Sequence, residues 1–116
     1  MLRNALVLSG LALFTCAPSL AAVRYEQGKA WDARKTRVLY TESHWTRFAG
    51  SVPVDRTVLY RCADDTPFAR KEIRYSPSVV APAFSFRDVR HDYQVGLLWQ
   101  DGKASLWHSK DGIRKS

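Results

Sequence analysis

The chain has 116 residues, with 18 basic and 11 acidic side chains and a formal net charge of +7. That length allows one small domain with a modest core. Two cysteines exclude a disulfide-stapled scaffold, and with no basic run longer than two the chain has no cationic tail.

The first 22 residues differ from the rest. Arg3 gives a basic start, residues 5–15 are almost wholly apolar, Pro18 breaks the run, and the small residues Ser19, Ala21 and Ala22 follow. These are the three parts of a cleaved secretory signal peptide. A membrane anchor needs roughly 20 apolar residues, about twice this run. Cys16 ends the apolar stretch as Leu13-Phe14-Thr15-Cys16, a loose lipobox in which only Leu13 fits the usual pattern. Cleavage after Ala21 or Ala22 and a periplasmic or secreted location are therefore expected, with a lipoprotein anchored through Cys16 as the alternative. Residues 23–116 then form a single small β-rich domain with a net charge of +6, once Arg3 leaves with the leader. Only Cys62 remains, so no internal disulfide can form, and its alternation with Val58 and Tyr60 places it on an apolar strand face.

Past the leader, short runs rich in Val, Tyr, Phe, Trp and Thr alternate with clusters of Asp, Gly, Pro and Ser, the pattern of strands and turns. Residues 23–30 read as a strand broken at Asp32-Ala33-Arg34-Lys35. Residues 37–48 follow, with Val38, Tyr40, Glu42 and His44 on one face and Leu39, Thr41, Ser43 and Trp45 on the other. Gly50-Ser51-Val52-Pro53 reads as a loop, 56–62 as the third strand, Asp64-Asp65-Thr66-Pro67 as a turn and 68–75 as the fourth. The proline-bearing stretch 76–82 reads as a loop or edge crossing, and 84–90 as the fifth strand. Residues 95–100 and 104–108 flank Asp101-Gly102, whose residues supply the positive φ of a tight hairpin turn. Asp111-Gly112 repeats the signature, with only four residues after it. No segment shows helical periodicity over ten positions. The expected fold is an all-β antiparallel meander of about seven short strands, an open curved sheet or a partial barrel. Its abrupt end leaves two readings: Lys110, Arg114 and Lys115 protect an exposed edge, or the chain is truncated at its C-terminus.

Tyr40-Thr41-Glu42-Ser43-His44-Trp45, then Leu59-Tyr60-Arg61-Cys62-Ala63-Asp64-Asp65 and Pro67-Phe68-Ala69-Arg70-Lys71, form a connected pattern. Over roughly residues 36–95 it resembles a group of uncharacterised exported proteins of proteobacteria that share a "YTE-H … LYRC-DG-PFARK" stretch. The resemblance implies an exported, β-rich chain and no particular activity. Members of the group are longer than this chain, and Asp65 stands where they carry Gly, so the turn before Thr66 is expected to be built differently.

Glu42 and His44 lie two apart on a strand and so point the same way, as an acid–base pair or two-thirds of a metal site would. The plainer account pairs Glu42 with Arg61 or Arg74 across the sheet. Cys62 on the next strand would complete a nucleophilic set of Cys62, His44 and Glu42 if the register allowed it. His91 and His108 have no metal-ligand spacing, and no phosphate loop, serine elbow or cofactor motif is present, so no metal and no cofactor is expected. Trp31, Trp45, Trp99 and Trp107 alternate with arginines, and Trp99 and Trp107 flank the Asp-Gly hairpin where they could pair across it. The leading expectation is a non-catalytic binding or envelope-interaction module for an acidic or amphiphilic ligand, with Trp45, Trp99, Arg61 and Arg74 as contact residues. Envelope lipid, polysaccharide or another exported protein are the partner classes, and the compartment argues against nucleic acid. The alternatives are a hydrolase or transferase built on Cys62 and His44, and an incomplete piece of a longer β-protein.

Overall fold

A computed structural model describes residues 22–77 and 81–116; residues 1–21 of the expected leader, Cys16 among them, lie outside the described residues. Among the described residues eight strands follow one another: β1 (Ala22–Trp31), β2 (Val38–Ala49), β3 (Val52–Cys62), β4 (Pro67–Arg74), β5 (Ala83–Asp88), β6 (Tyr93–Gln100), β7 (Lys103–Lys110) and β8 (Ile113–Lys115). They form one antiparallel sheet in the order β1-β2-β3-β4-β5-β6-β7-β8, an open meander in which each strand pairs with its sequence neighbours. Among the described residues no helix is long and apolar enough to cross a membrane.

The turns follow from residues that tolerate a left-handed backbone. Asp101 and Gly102 take φ of 51° and 75°, and Asp111 and Gly112 take 52° and 82°, so both Asp-Gly pairs make the two-residue turns their composition demands. The second turn starts an eighth strand of three residues, one more than the seven expected. Asp32 organises the β1–β2 connection: its carboxylate accepts from Thr36 N and Thr36 Oγ1, each at 2.8 Å, and those bonds hold its pKa below the ordinary value. Asp65 sits at φ 75°, in the backbone region where a glycine is at home.

The expected loop at 50–53 is instead a turn centred on Gly50 and Ser51, with Ala49 opposite Val52. Gly50, at φ 66°, lets β3 begin at Val52. Pro53, which has no amide donor, is accommodated because the register slips beside it between Arg47 and Phe48. Further slips fall at Ala30/Trp31 and Tyr60/Arg61.

Because paired residues share a face, the register sorts the side chains into two sets. One face carries Tyr40, Tyr60, Val58, Ala69, Ile73, Phe84, Phe86, Val95, Leu97 and Leu106, with the charged Arg24, Glu26, Glu42, Arg56, Lys71, Asp88, Lys110 and Lys115 among and around them. The other carries Lys29, Arg47, Arg61, Arg70, Arg74, Arg87, Lys103 and Arg114. We call them the apolar and the basic face. The apolar face holds what core there is: Val58, Phe68 and Ala69 are the buried hydrophobic residues among those described.

Candidate functional site

The basic face is a strand-by-strand consequence of alternation. A single cross-strand row runs Gln27, Ser43, Leu59, Arg70, Arg87, Gln94, Ser109, Arg114 across the whole sheet. Arg70 and Arg87 therefore stand directly opposite each other on β4 and β5, and both are exposed. Like charges in that position repel. Arg70 relieves part of its charge on Glu72, at 2.8 Å, whereas Arg87 and Arg74 have no ion pair among the described residues. The carboxylates on the strands of this face are Asp55, held by Arg47, and Glu72. Asp55 raises the Arg47 pKa.

Three of the four contact residues expected from sequence lie on this face, on different rows of it and without touching one another. Trp45 stacks at 5.2 Å against Tyr25, and both rings stay exposed. Arg61 donates to Ser43 Oγ at 3.0 Å and lies 3.8 Å from Asp65. Arg74 faces Asp55 across the β3–β4 ladder and borders a groove of about 320 Å³ with Asp55 and Glu72. Trp99 is elsewhere: it lies on the apolar face, opposite Ala104, and its indole donates to Ala81 O at 2.8 Å. Trp107 does not pair with it across the hairpin, because Trp107 faces Gly96 on the opposite side of the sheet. Arg114 stacks over the Trp107 ring at 4.3 Å.

Glu42 and His44 do share a face and touch, with His44 Nε2 3.0 Å from Glu42 Oε2. Glu42 does not pair with Arg61 or Arg74, since register puts both arginines on the other side of the sheet. Cys62 is half-buried on the same face as His44, but it lies opposite Tyr40 while His44 lies opposite Val58. Four strand positions separate them, about 13 Å, far outside hydrogen-bond reach. The geometry brings Glu42 to His44 and leaves Cys62 apart from both. Among the described residues no group of three or more His, Cys, Asp or Glu could hold a metal ion.

The apolar face has one built cluster that sequence reasoning missed. Tyr40, Tyr60, Phe68 and Phe86 converge with ring centroids 5.8 to 6.1 Å apart, in tilted and edge-on pairs. They border a groove of about 510 Å³ with Glu42, Asp88 and Arg90. Burial, then the nearby Glu42 carboxylate, pushes the Tyr60 phenol up from its ordinary pKa. Arg90 lies over the Phe68 ring at 3.7 Å, a cation–π contact. Asp88, 8% exposed, accepts from Arg90 Nη2 at 3.1 Å and Arg90 N at 2.8 Å, with His91 Nδ1 at 3.2 Å. The Arg90 side-chain bond above all holds the Asp88 carboxyl well below the usual carboxylate range. The signal for this cluster was a short one, an Asp followed two residues later by Arg at the end of a strand.

Comparison with protein-family models, with curated proteins and with solved structures found no match to this chain.

Proposed function

We propose that the chain is an exported, non-catalytic binding module whose basic face lies against the anionic headgroups of an envelope lipid surface. The observation that carries the reading is Arg70 opposite Arg87: a sheet holds two guanidinium groups side by side at some cost to its own stability, and an anion between them removes that cost. Arg61, Arg74 and Lys29 extend the same positive field, while Asp55 and Glu72 offset little of it. Lipid is favoured over polysaccharide by the exposed apolar groups on this face: Val23, Tyr25, Trp45 and Leu98 are 62%, 51%, 36% and 45% exposed. Rings with one wet edge beside cations suit the headgroup boundary. The leader-like start of the sequence supports export.

Co-sedimentation with vesicles tests this. Phosphatidylglycerol-containing vesicles should take down the protein at low salt and release it as salt rises, and pure phosphatidylcholine vesicles should not. Equal binding to both vesicle types, or none to either, would refute it. Retention on an acidic polysaccharide without vesicle binding would transfer the same face to the other ligand.

A further inference from the structure

A sheet that is apolar on one side buries that side against a second layer. Among the described residues no second layer covers it: Tyr40, Tyr60, Ile73, Phe84, Phe86, Val95 and Leu97 are only half-buried, and Leu106 is 61% exposed. We propose that two copies of the chain pack apolar face to apolar face, about a two-fold axis parallel to the strands, as a symmetric two-layer sandwich.

The argument is charge complementarity read from the register. One cross-strand row of the apolar face begins at Glu26 on β1 and ends at Lys115 on β8. The adjacent row has Glu42 on β2 and Lys110 on β7. A two-fold axis along the strands keeps each row over itself and reverses the strand order, so β1 covers the partner's β8 and β2 its β7. Glu26 then meets the partner's Lys115, and Glu42 the partner's Lys110, four ion pairs around the rim of one interface. At the centre Val58 falls over the partner's Val95, Tyr60 over the partner's Tyr93, and Ile73 over the partner's Phe84. Lys71, in the same row as Val58, falls over the partner's Phe86, its ammonium already 5.3 Å over the Phe84 ring of its own copy. An axis across the strands would stack each strand on its own copy, carboxylate over carboxylate and lysine over lysine. Aligned sandwiches hold their sheets about 10 Å apart, a spacing that side chains of this size fill. The basic face stays outward, so the dimer does not depend on the lipid reading and doubles the area available to it.

Two measurements on the purified chain decide the matter. Sedimentation velocity should give twice the chain mass at micromolar concentration. A carbodiimide, which joins a carboxylate to an amine without a spacer, applied to a mixture of isotope-labelled and unlabelled copies should give Glu42–Lys110 and Glu26–Lys115 links of mixed label. Within one copy β2 and β7 are five strands apart, about 24 Å, so these links form only between copies. Glu42→Lys should raise the dimer dissociation constant about tenfold, and the double variant Glu42→Lys with Lys110→Glu should restore it. Arg87→Glu, on the outward face, should leave the mass unchanged even if vesicle binding is lost, which separates failure of this inference from failure of the lipid reading. A monomer at every concentration overturns the proposal, as does a dimer in which the charge exchange fails to restore affinity or the mixed-label links do not form.

Discussion

Trp107 on β7 lies across Gly96 on β6, so close that a methyl group at position 96 would fall 2.6 Å from three atoms of the indole ring. The indole is itself covered on the other side by the Arg114 guanidinium. Glycine is therefore required at 96 for room, since the ring occupies the space a side chain would take. Gly96→Ala should lower the stability by about 1–3 kcal/mol through overpacking. The urea midpoint and the near-ultraviolet dichroism of the tryptophans read the loss, and Gly96→Ala combined with Trp107→Leu should recover most of it. Full stability in Gly96→Ala alone would mean the indole packs elsewhere.

Asp88 makes the acid limb of the stability curve. Its carboxyl is held far below the value of about 3.9 that it has in an unfolded chain. Below that value the unfolded chain takes up a proton that the folded chain refuses, so stability rises with pH through this range. The contribution is complete above about pH 4 and is lost as pH falls toward the folded value. Asp88→Asn should cost about 1–3 kcal/mol at pH 7, because the charge-assisted bonds to Arg90 and His91 are weakened. Its stability should also fall less than that of the parent chain between pH 7 and pH 3. Parallel acid limbs for the two proteins in urea unfolding would remove Asp88 from this role.

Asp65 tests a turn whose composition is off pattern. At φ 75° an L-residue is strained, though Asp less than most. Its carboxylate approaches Arg61 at only 3.8 Å and is 85% exposed, so little is lost with it. Asp65→Gly should raise stability by about 0.5 kcal/mol, and Asp65→Val should lower it by about 1–2 kcal/mol. A destabilised Asp65→Gly, seen in the urea midpoint, would show that the carboxylate holds the turn.

How much of this was readable beforehand depended on whether the cue was local. Asp101-Gly102 and Asp111-Gly112 announce their own turns, because positive φ is a property of the residues themselves. Glu42 and His44 share a face because strand side chains alternate, which requires no partner. What could not be read was register. The bulge beside Pro53 and the two-residue turn at Gly50 together decide that His44 faces Val58 rather than Cys62, and nothing near either residue announces it. Trp99 and Trp107 differ in this respect: the two-residue turn at Asp101-Gly102 pairs Gln100 with Lys103, and that alone puts residues eight apart on opposite faces. The Arg70–Arg87 pair depended on how β4 and β5 align across a connection of eight residues, 75–82, whose length leaves the pairing open.

That pair gives the sharpest prediction, because it sets stability and binding against each other. Arg87 faces Arg70 directly and has no other charge to answer it among the described residues. Replacing it by glutamate converts a repulsive cross-strand pair into an attractive one. Arg87→Glu should therefore stabilise the folded chain by about 0.2–1 kcal/mol. The same change removes one of two adjacent guanidinium groups from the basic face and adds a negative charge, so binding to phosphatidylglycerol vesicles should weaken about tenfold or more at low salt. Arg87→Gln should fall between, relieving repulsion without creating an ion pair. The two readouts are urea unfolding and vesicle co-sedimentation on the same preparations. A gain in stability with unchanged binding would leave the facing arginines as a surface accident and move the lipid contact to Arg61 and Arg74. A loss of both would mean that Arg87 supports the fold through contacts other than charge. Only the opposed result, a firmer sheet that binds less, fits two cations kept together for an anion.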